Sequence, residues 1–303
     1  MPFGKIQHVV QFLTLLVPIA IAWPLPEFEQ ITTLSNDQIK FYRPYTHYAS
    51  AAYCSPSKIS NWSCGQDCLA NPTFTPIKTG GNGAAVQFWY VGYDASLKTV
   101  VVGHQGTDTS KIQAVITDLK LVPMSLNSDL FPNISTSIKV HLGFKREHAK
   151  TAKDVLQAVK MTMNKFSATD LAVVGHSLGG ALALLDSVYL ANNLPLTTKV
   201  KMVGYGMPRV GNEAFANYVD KHDMITHSHV TNKKDPIPVV PGRRLGYHHC
   251  HGEIHIKKDD KWVSCPGHDN PSSQCSTGDV NILDARVNDH SGPYDGILMG
   301  SDC

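Results

Sequence analysis

Charge is scarce in this chain, and neither sign prevails. Of its 303 residues 17% are charged, and 27 lysines and arginines balance 25 aspartates and glutamates to a formal net charge of +2. Basic residues are interspersed with acidic ones, so nothing offers the stripe of positive potential that a nucleic-acid backbone requires. Long apolar runs are also scarce. The longest, Val9–Ala22, has 14 residues, short of the ~20 that span a bilayer as a helix. Internal repeats and long low-complexity linkers are absent. With 42% hydrophobic residues, the chain can bury one large core, and a single domain is the economical reading.

The short apolar run has its own meaning. Lys5 precedes it, Ala20-Ile21-Ala22 closes it, and the proline-rich "WPLPEF" follows. A basic start, a short apolar centre and a small-residue site describe a secretory signal peptide over residues 1–22, ahead of a mature chain 23–303. The competing reading is a membrane anchor, for which the run is too short. Seven cysteines, Cys54, Cys64, Cys68, Cys250, Cys265, Cys275 and Cys303, all lie beyond it. In an oxidising compartment they would pair, and an odd number leaves one over. The sequons at Asn61 and Asn133 fit export through a glycosylating pathway. The expected location is extracellular.

Strand and helix signals alternate along the chain. The segment 31–54 reads as a helix turning Ile39, Tyr42, Tyr45 and Tyr53 inward, and 54–82 as loop with a small Cys64–Cys68 clip. Strands are expected at 84–94 and 98–107, then one long helix over 145–166. A strand at 170–176 leads into a helix from Leu178. A strand at 199–206, a helix near 212–219 and a strand at 226–232 complete the pattern. Such alternation argues for an α/β fold with a predominantly parallel sheet flanked by helices.

The chemistry centres on "VVGHSLGGALALL" (173–185), where Gly175-x-Ser177-x-Gly179 sits between an apolar strand and a helix. In that context the serine occupies a sharp turn with its hydroxyl above the sheet. The glycines let strand and helix pass closely, and the helix N-terminus offers free N–H groups to an anion. A serine needs a histidine to take its proton and a carboxylate to orient that histidine. Asp235, in the turn "KKDPIP" after a strand, is the favoured acid. Asp186 and Asp220 fall within predicted helices and read as surface or capping groups. Six histidines follow Asp235: His248, His249, His251, His255, His268 and His290. The cluster "YHHCHGEIH" invites a zinc reading, but Cys250 lacks a companion at finger spacing, and "EIHIK" reads as a strand with exposed histidines. No metal is expected. His290, in the Gly/Pro-rich loop "VNDHSGPYDG", can reach a distant site.

Taken together, "SAAYC" (50–54), "GHQGT" (103–107), "VHLGF" (140–144), "VVGHSLGGALA" (173–183), "GMPRVGNEAFANYV" (206–219), "NKKDPIPVVP" (232–241) and "DHSGPYDG" (289–296) resemble the fungal class 3 lipases of the Rhizomucor and Thermomyces type, in their basidiomycete branch. The resemblance spans about Ile31 to Cys303 and implies an α/β-hydrolase fold. It implies Ser177 as nucleophile, Asp235 as orienting acid and His290 as base, with Thr107 and the N–H of Leu178 as the oxyanion hole. It pairs Cys54 with Cys303, Cys64 with Cys68 and Cys265 with Cys275, leaving Cys250 a free thiol. Where many members read Phe-Arg-Gly before the oxyanion residue, this chain reads His104-Gln105-Gly106, so the arginine's contacts must be replaced.

The substrate is argued from the segment after Thr107. Ile112, Val115, Ile116 and Leu119 stand at i, i+3, i+4 and i+7, one apolar face of a short helix. An ordinary core-facing helix would show the same pattern. In the family this position is a movable lid, here about residues 108–119, covering the site in water and turning onto lipid. The expectation is a secreted, monomeric serine lipase acting on acylglycerols at a lipid–water interface, with no cofactor. The alternatives are a feruloyl-type esterase on the same fold, a non-catalytic lipid-binding relative and a histidine-rich metal-binding protein.

Overall fold

Valine-rich strands, buried on both faces, build the centre of the molecule. The computed structural model describes residues 1, 3, 4, 30–107, 122–281, 283–301 and 303. The apolar stretch Val9–Ala22 and the segment 108–119, with Ile112, Val115, Ile116 and Leu119, lie outside the described residues. In chain order the strands are β1 (Thr32–Thr33), β2 (Phe74–Gly80), β3 (Trp89–Asp94), β4 (Thr99–His104), β5 (Pro123–Ser125), β6 (Lys139–His141), β7 (Asp170–His176), β8 (Lys199–Tyr205), β9 (Gly211–Asn212), β10 (Ile225–Asn232), β11 (Tyr247–His248), β12 (Glu253–Ile256) and β13 (Trp262–Cys265). Nine form one sheet in the order β1-β13-β12-β10-β8-β7-β4-β3-β2, and β11-β9-β6-β5 form a smaller one. The five central strands, β4, β7, β8, β10 and β12, run parallel. Antiparallel pairs β13/β1 and β3/β2 flank them.

Alternation along the central strands divides the core into two apolar layers. Leu171 and Val173 face one layer with the helices Ala152–Phe166 and Leu178–Ala191, while Ala172 and Val174 face the other with the helix Asn36–Ala51. Each fully buried leucine or valine contributes roughly 1.5–3 kcal/mol relative to exposure. The Asn36–Ala51 helix begins on a capping box: Gln38 N–H donates to Ser35 Oγ (3.3 Å) and Ser35 N–H to Gln38 Oε1 (2.8 Å). Three disulfides are present, Cys54–Cys303, Cys64–Cys68 and Cys265–Cys275, and Cys250 is a buried thiol.

Several sequence expectations need correction. The single helix expected over 145–166 is two, Leu142–Ala149 and Ala152–Phe166, broken at Lys150-Thr151. The segment 54–82 holds two short helices, Pro56–Ser60 and Gly65–Ala70, as well as β2. His255 is 1% exposed, because β12 lies inside the sheet with both faces covered. Asp186 is not a surface group: it is fully buried between His104 (Nε2 2.6 Å from Oδ2) and His148 (Nε2 2.7 Å from Oδ1). Burial pushes its carboxyl up, but His148 and His104 outweigh that and hold it at about 2. Asp220 is also half-buried, 2.5 Å from His268 Nε2.

Candidate active site

The serine turn is built by strand β7 and the helix that follows it. Ser177 adopts φ 57°, ψ −128°, and helix Leu178–Ala191 starts at the next residue. The left-handed φ, uncommon outside glycine, turns the chain between the two elements. Ser177 N–H donates to Tyr205 O at 2.9 Å, which keeps the turn fastened to β8. A Cβ on Gly175 would meet Gly179 O at 2.2 Å, and one on Gly179 would meet His104 O at 2.2 Å. Both positions therefore need glycine for the helix to cross the ends of β7 and β4 this closely. Leu178 opens the helix, whose first N–H groups have no intrahelical acceptor.

Strand β10 carries the chain to Asp235, three residues past its end. Ile237 N–H donates to Asp235 Oδ1 (2.9 Å), and His290 Nδ1 lies 2.8 Å from Oδ2. A carboxylate accepts, so Nδ1 carries the proton and Nε2 is left as an acceptor. Ser177, Asp235 and His290 are each no more than 1% exposed. Among the described residues, Ser177 Oγ and His290 Nε2 have no hydrogen-bond partner. Catalytic pairs in ligand-free structures are often looser than in the working complex.

Neighbours missed by sequence reasoning hold His290 in place. His176 Nε2 donates to the carbonyl of His290 (2.7 Å), and its Nδ1 accepts a hydrogen bond from the Tyr53 hydroxyl (2.6 Å). The Tyr294 hydroxyl also donates to His290 O (3.1 Å). Burial, aided by the neighbouring His290, drives the His176 imidazole well below its usual range, so it serves as a neutral strut. The signal was present in the histidine of "GHSLG" and the tyrosine of "SAAYC". Asn232 Nδ2 donates to Asp289 O (2.8 Å), binding the two loops together. Buried Arg209 supports the loop after Asp235. It donates to Asp269 Oδ1 (2.7 Å), to Pro241 O (3.0 Å) and to Val239 O.

Thr107 lies just past β4 and is half-buried. Gln105 accepts from Phe88 N–H through Oε1 (2.8 Å) and donates its own N–H to Phe88 O (2.9 Å). Gln87 Nε2 donates to Gly106 O at 3.1 Å. Two side-chain amides and the backbone beside them thus fix the segment before Thr107. The other histidines singled out lie elsewhere. His249 donates through Nε2 to Pro238 O (2.8 Å) and through its backbone N–H to Asp269 Oδ2 (3.1 Å), His248 lies 3.6 Å from Asp269, and His255 bonds Thr231.

A serine on a strand–turn–helix at the end of a parallel sheet, with a histidine–carboxylate pair contributed from later in the chain, is the arrangement of an α/β-hydrolase. Comparison narrows the class. The model of the class 3 lipase family matches residues 101–245. The secreted mono- and diacylglycerol lipase MDL3 of Malassezia globosa is 31% identical over 279 residues, 91% of this chain and 83% of that protein. Its relative MDL2 from the same organism is 31% identical over 205 residues, 67% of this chain and 66% of MDL2, just under two thirds of its length. A solved triacylglycerol lipase, whose catalytic centre is described as a serine protease triad, superposes with a TM-score of 0.77 at 27% identity, covering 90% of this chain and all of the other. The chain belongs to the class 3 lipase family.

Proposed function

We propose that this chain is a secreted lipase that hydrolyses the carboxylic esters of acylglycerols through an acyl-enzyme. The observation that carries the reading is the buried Asp235–His290 pair at 2.8 Å, in one site with the left-handed serine turn. His290 Nε2 takes the Ser177 proton as Oγ attacks the ester carbonyl. The oxyanion that forms is met by Thr107 and the Leu178 N–H, donors whose individual loss costs on the order of 100–1000-fold in turnover. The tetrahedral adduct collapses as His290 returns the proton to the departing glyceride oxygen. Water then enters, gives its proton to His290, and releases the fatty acid and Ser177 in a second, mirror-image step. Asp235 stays ionised and paired throughout. Every proton in the cycle moves between Ser177, His290, substrate and water, so the chemistry calls for no metal or organic cofactor.

The extracellular location rests on the leader-like residues 1–22, the three disulfides and the names of the relatives, with exposed Asn61 and Asn133 as glycan sites. The segment 108–119 is the proposed lid, and the active unit is one copy of the chain. Among the described residues no helix is long and apolar enough to cross a membrane.

The test is hydrolysis of an emulsified long-chain acylglycerol across its solubility limit, for the wild type and Ser177→Ala. A rise above the limit, with the mutant slower by about 10⁴-fold or more, is the expected result. Turnover of methyl ferulate alone would transfer the chain to the esterases, and equal rates in both proteins would remove Ser177 from the chemistry.

A further inference from the structure

A second cluster of chemically active side chains lies on elements that carry none of Ser177, Asp235 and His290. Asp220 ends the helix Glu213–Asp220, His251 sits in the turn between β11 and β12, and His268 in the loop after β13. One ligand atom from each lies within 4.8 Å of the other two. We propose that Asp220, His251 and His268 form a binding site for a divalent transition-metal ion of the zinc type, which clips these three segments together.

The arrangement is more organised than a chance meeting of surface groups. Asp220 accepts the backbone N–H of His251 at Oδ1 (3.0 Å) and stands 2.5 Å from His268 Nε2 through Oδ2. One carboxylate thereby holds both the peptide that carries His251 and the ring of His268. The two imidazoles approach each other with centroids 4.5 Å apart at an interplanar angle of 58°. Among the described residues the His251 ring has no hydrogen-bond partner, although it stands beside two potential co-ligands. The next residue along anchors the third ligand: Asp269 accepts from buried Arg209 (2.7 Å) and from His249 N–H (3.1 Å). Outer contacts of this kind orient ligands and fix their geometry.

Donor chemistry selects the ion. Two imidazoles and one carboxylate suit zinc and its neighbours, with metal–ligand bonds of about 2.0–2.2 Å. Calcium and magnesium want six or more oxygens, and a single carboxylate supplies too few. Around a tetrahedral ion, ligand atoms sit about 3.3 Å apart, between the short Asp220–His268 separation and the outer limit of the cluster. The side chains of Asp220 and His268 are 12% and 15% exposed and His251 is open to solvent, so an ion can enter and keep a water as fourth ligand. Among the described residues the other such grouping, Glu253 with Cys265 and Cys275, is closed to metal because its two sulfurs are joined to each other.

Calorimetric titration of tag-free, chelator-treated protein with zinc ion tests the assignment. One equivalent should bind, with affinity at least ~10-fold weaker in His251→Ala. That substitution removes an exposed ring and leaves the Asp220–His268 pair in place, so the fold is retained. At a hundredfold excess over the wild-type Kd, zinc should raise the thermal midpoint of the wild type by about 4–5 °C and that of His251→Ala by no more than about half as much. Asp220→Asn and His268→Ala should lose binding as well, and calcium should produce no midpoint shift. Absence of stoichiometric zinc binding, or binding undiminished in His251→Ala, would overturn the proposal. Neither readout depends on hydrolytic activity, so the lipase reading stands or falls separately.

Discussion

Replacing Asp186 by alanine should be among the most destabilising single changes outside the catalytic residues. The carboxylate is fully buried and shared by two imidazoles, His148 at 2.7 Å and His104 at 2.6 Å. Removing it strands two buried Nε2–H donors, each costing about 1–3 kcal/mol when unsatisfied. The variant is spared the cost of burying the carboxylate, which recovers part of that sum. Two such losses less that recovery leave a net of about 2–4 kcal/mol of lost stability. For a chain of this size that corresponds to a thermal midpoint lower by roughly 3–7 °C. Asp186→Asn keeps the volume and one acceptor oxygen, so it should lose about half as much. Urea unfolding at pH 8 with disulfides intact measures both. A loss below about 1 kcal/mol for Asp186→Ala would show that the carboxylate is not what holds His104 and His148, and the argument would fail.

Two further outcomes are expected. The Cys54–Cys303 bridge has a sequence separation of 249, and loop-closure entropy assigns such a span on the order of 5 kcal/mol. The Cys54→Ala/Cys303→Ala double variant should lose much of that in urea melts, and an unchanged midpoint would sink the entropic account. Acid should weaken the fold well above the carboxylate range. Burial lowers the imidazoles of His249 and His255 to about 4 and that of His229 well below its usual value. Between about pH 6.5 and 4 the unfolded chain therefore takes up protons that the folded chain refuses. Stability is complete above 6.5 and falls with pH, by up to about 1.4 kcal/mol per unit for each histidine. His176 and His227, also lowered by burial, add to the effect, while Glu253, whose carboxyl is raised by burial, works the other way as a single group. A flat urea midpoint from pH 7.5 to 4.5 would contradict this.

Local features were the readable ones. Strand 170–176 and the helix start at Leu178 follow from an apolar run, two glycines and good helix formers, all within twenty residues. Asp235 could be singled out because a turn between a strand and a proline is a local event. Choosing among six later histidines was not local, since the 2.8 Å approach of His290 to Asp235 depends on loops 55 residues apart; the Gly/Pro-rich loop around His290 favoured it, and the family resemblance strengthened that choice. Asp186 was misread although a clue was available: "GALALLDSVYLA" is apolar on all sides, the mark of a helix buried all round, so its one carboxylate had to have buried partners. His255 was misread because alternation in "EIHIK" tells only that faces differ. That both faces of β12 are covered is decided by its neighbours β10 and β13. The helix break at Lys150-Thr151 carries neither glycine nor proline and had no sequence signature.

The backbone of Ser177 carries one last implication, for descent rather than mechanism. A serine at φ 57°, ψ −128° occupies a conformation that costs on the order of 1–3 kcal/mol for any residue with a Cβ, whereas glycine would adopt it freely. Selection for a reactive hydroxyl holds this position against a standing pull toward a more comfortable residue. A lineage released from that selection would drift to glycine here first, gaining stability as it lost chemistry. A sister sequence with all the other motifs intact but glycine in this turn would therefore be the relic of an abandoned activity, and it should outlast its working relatives on heating.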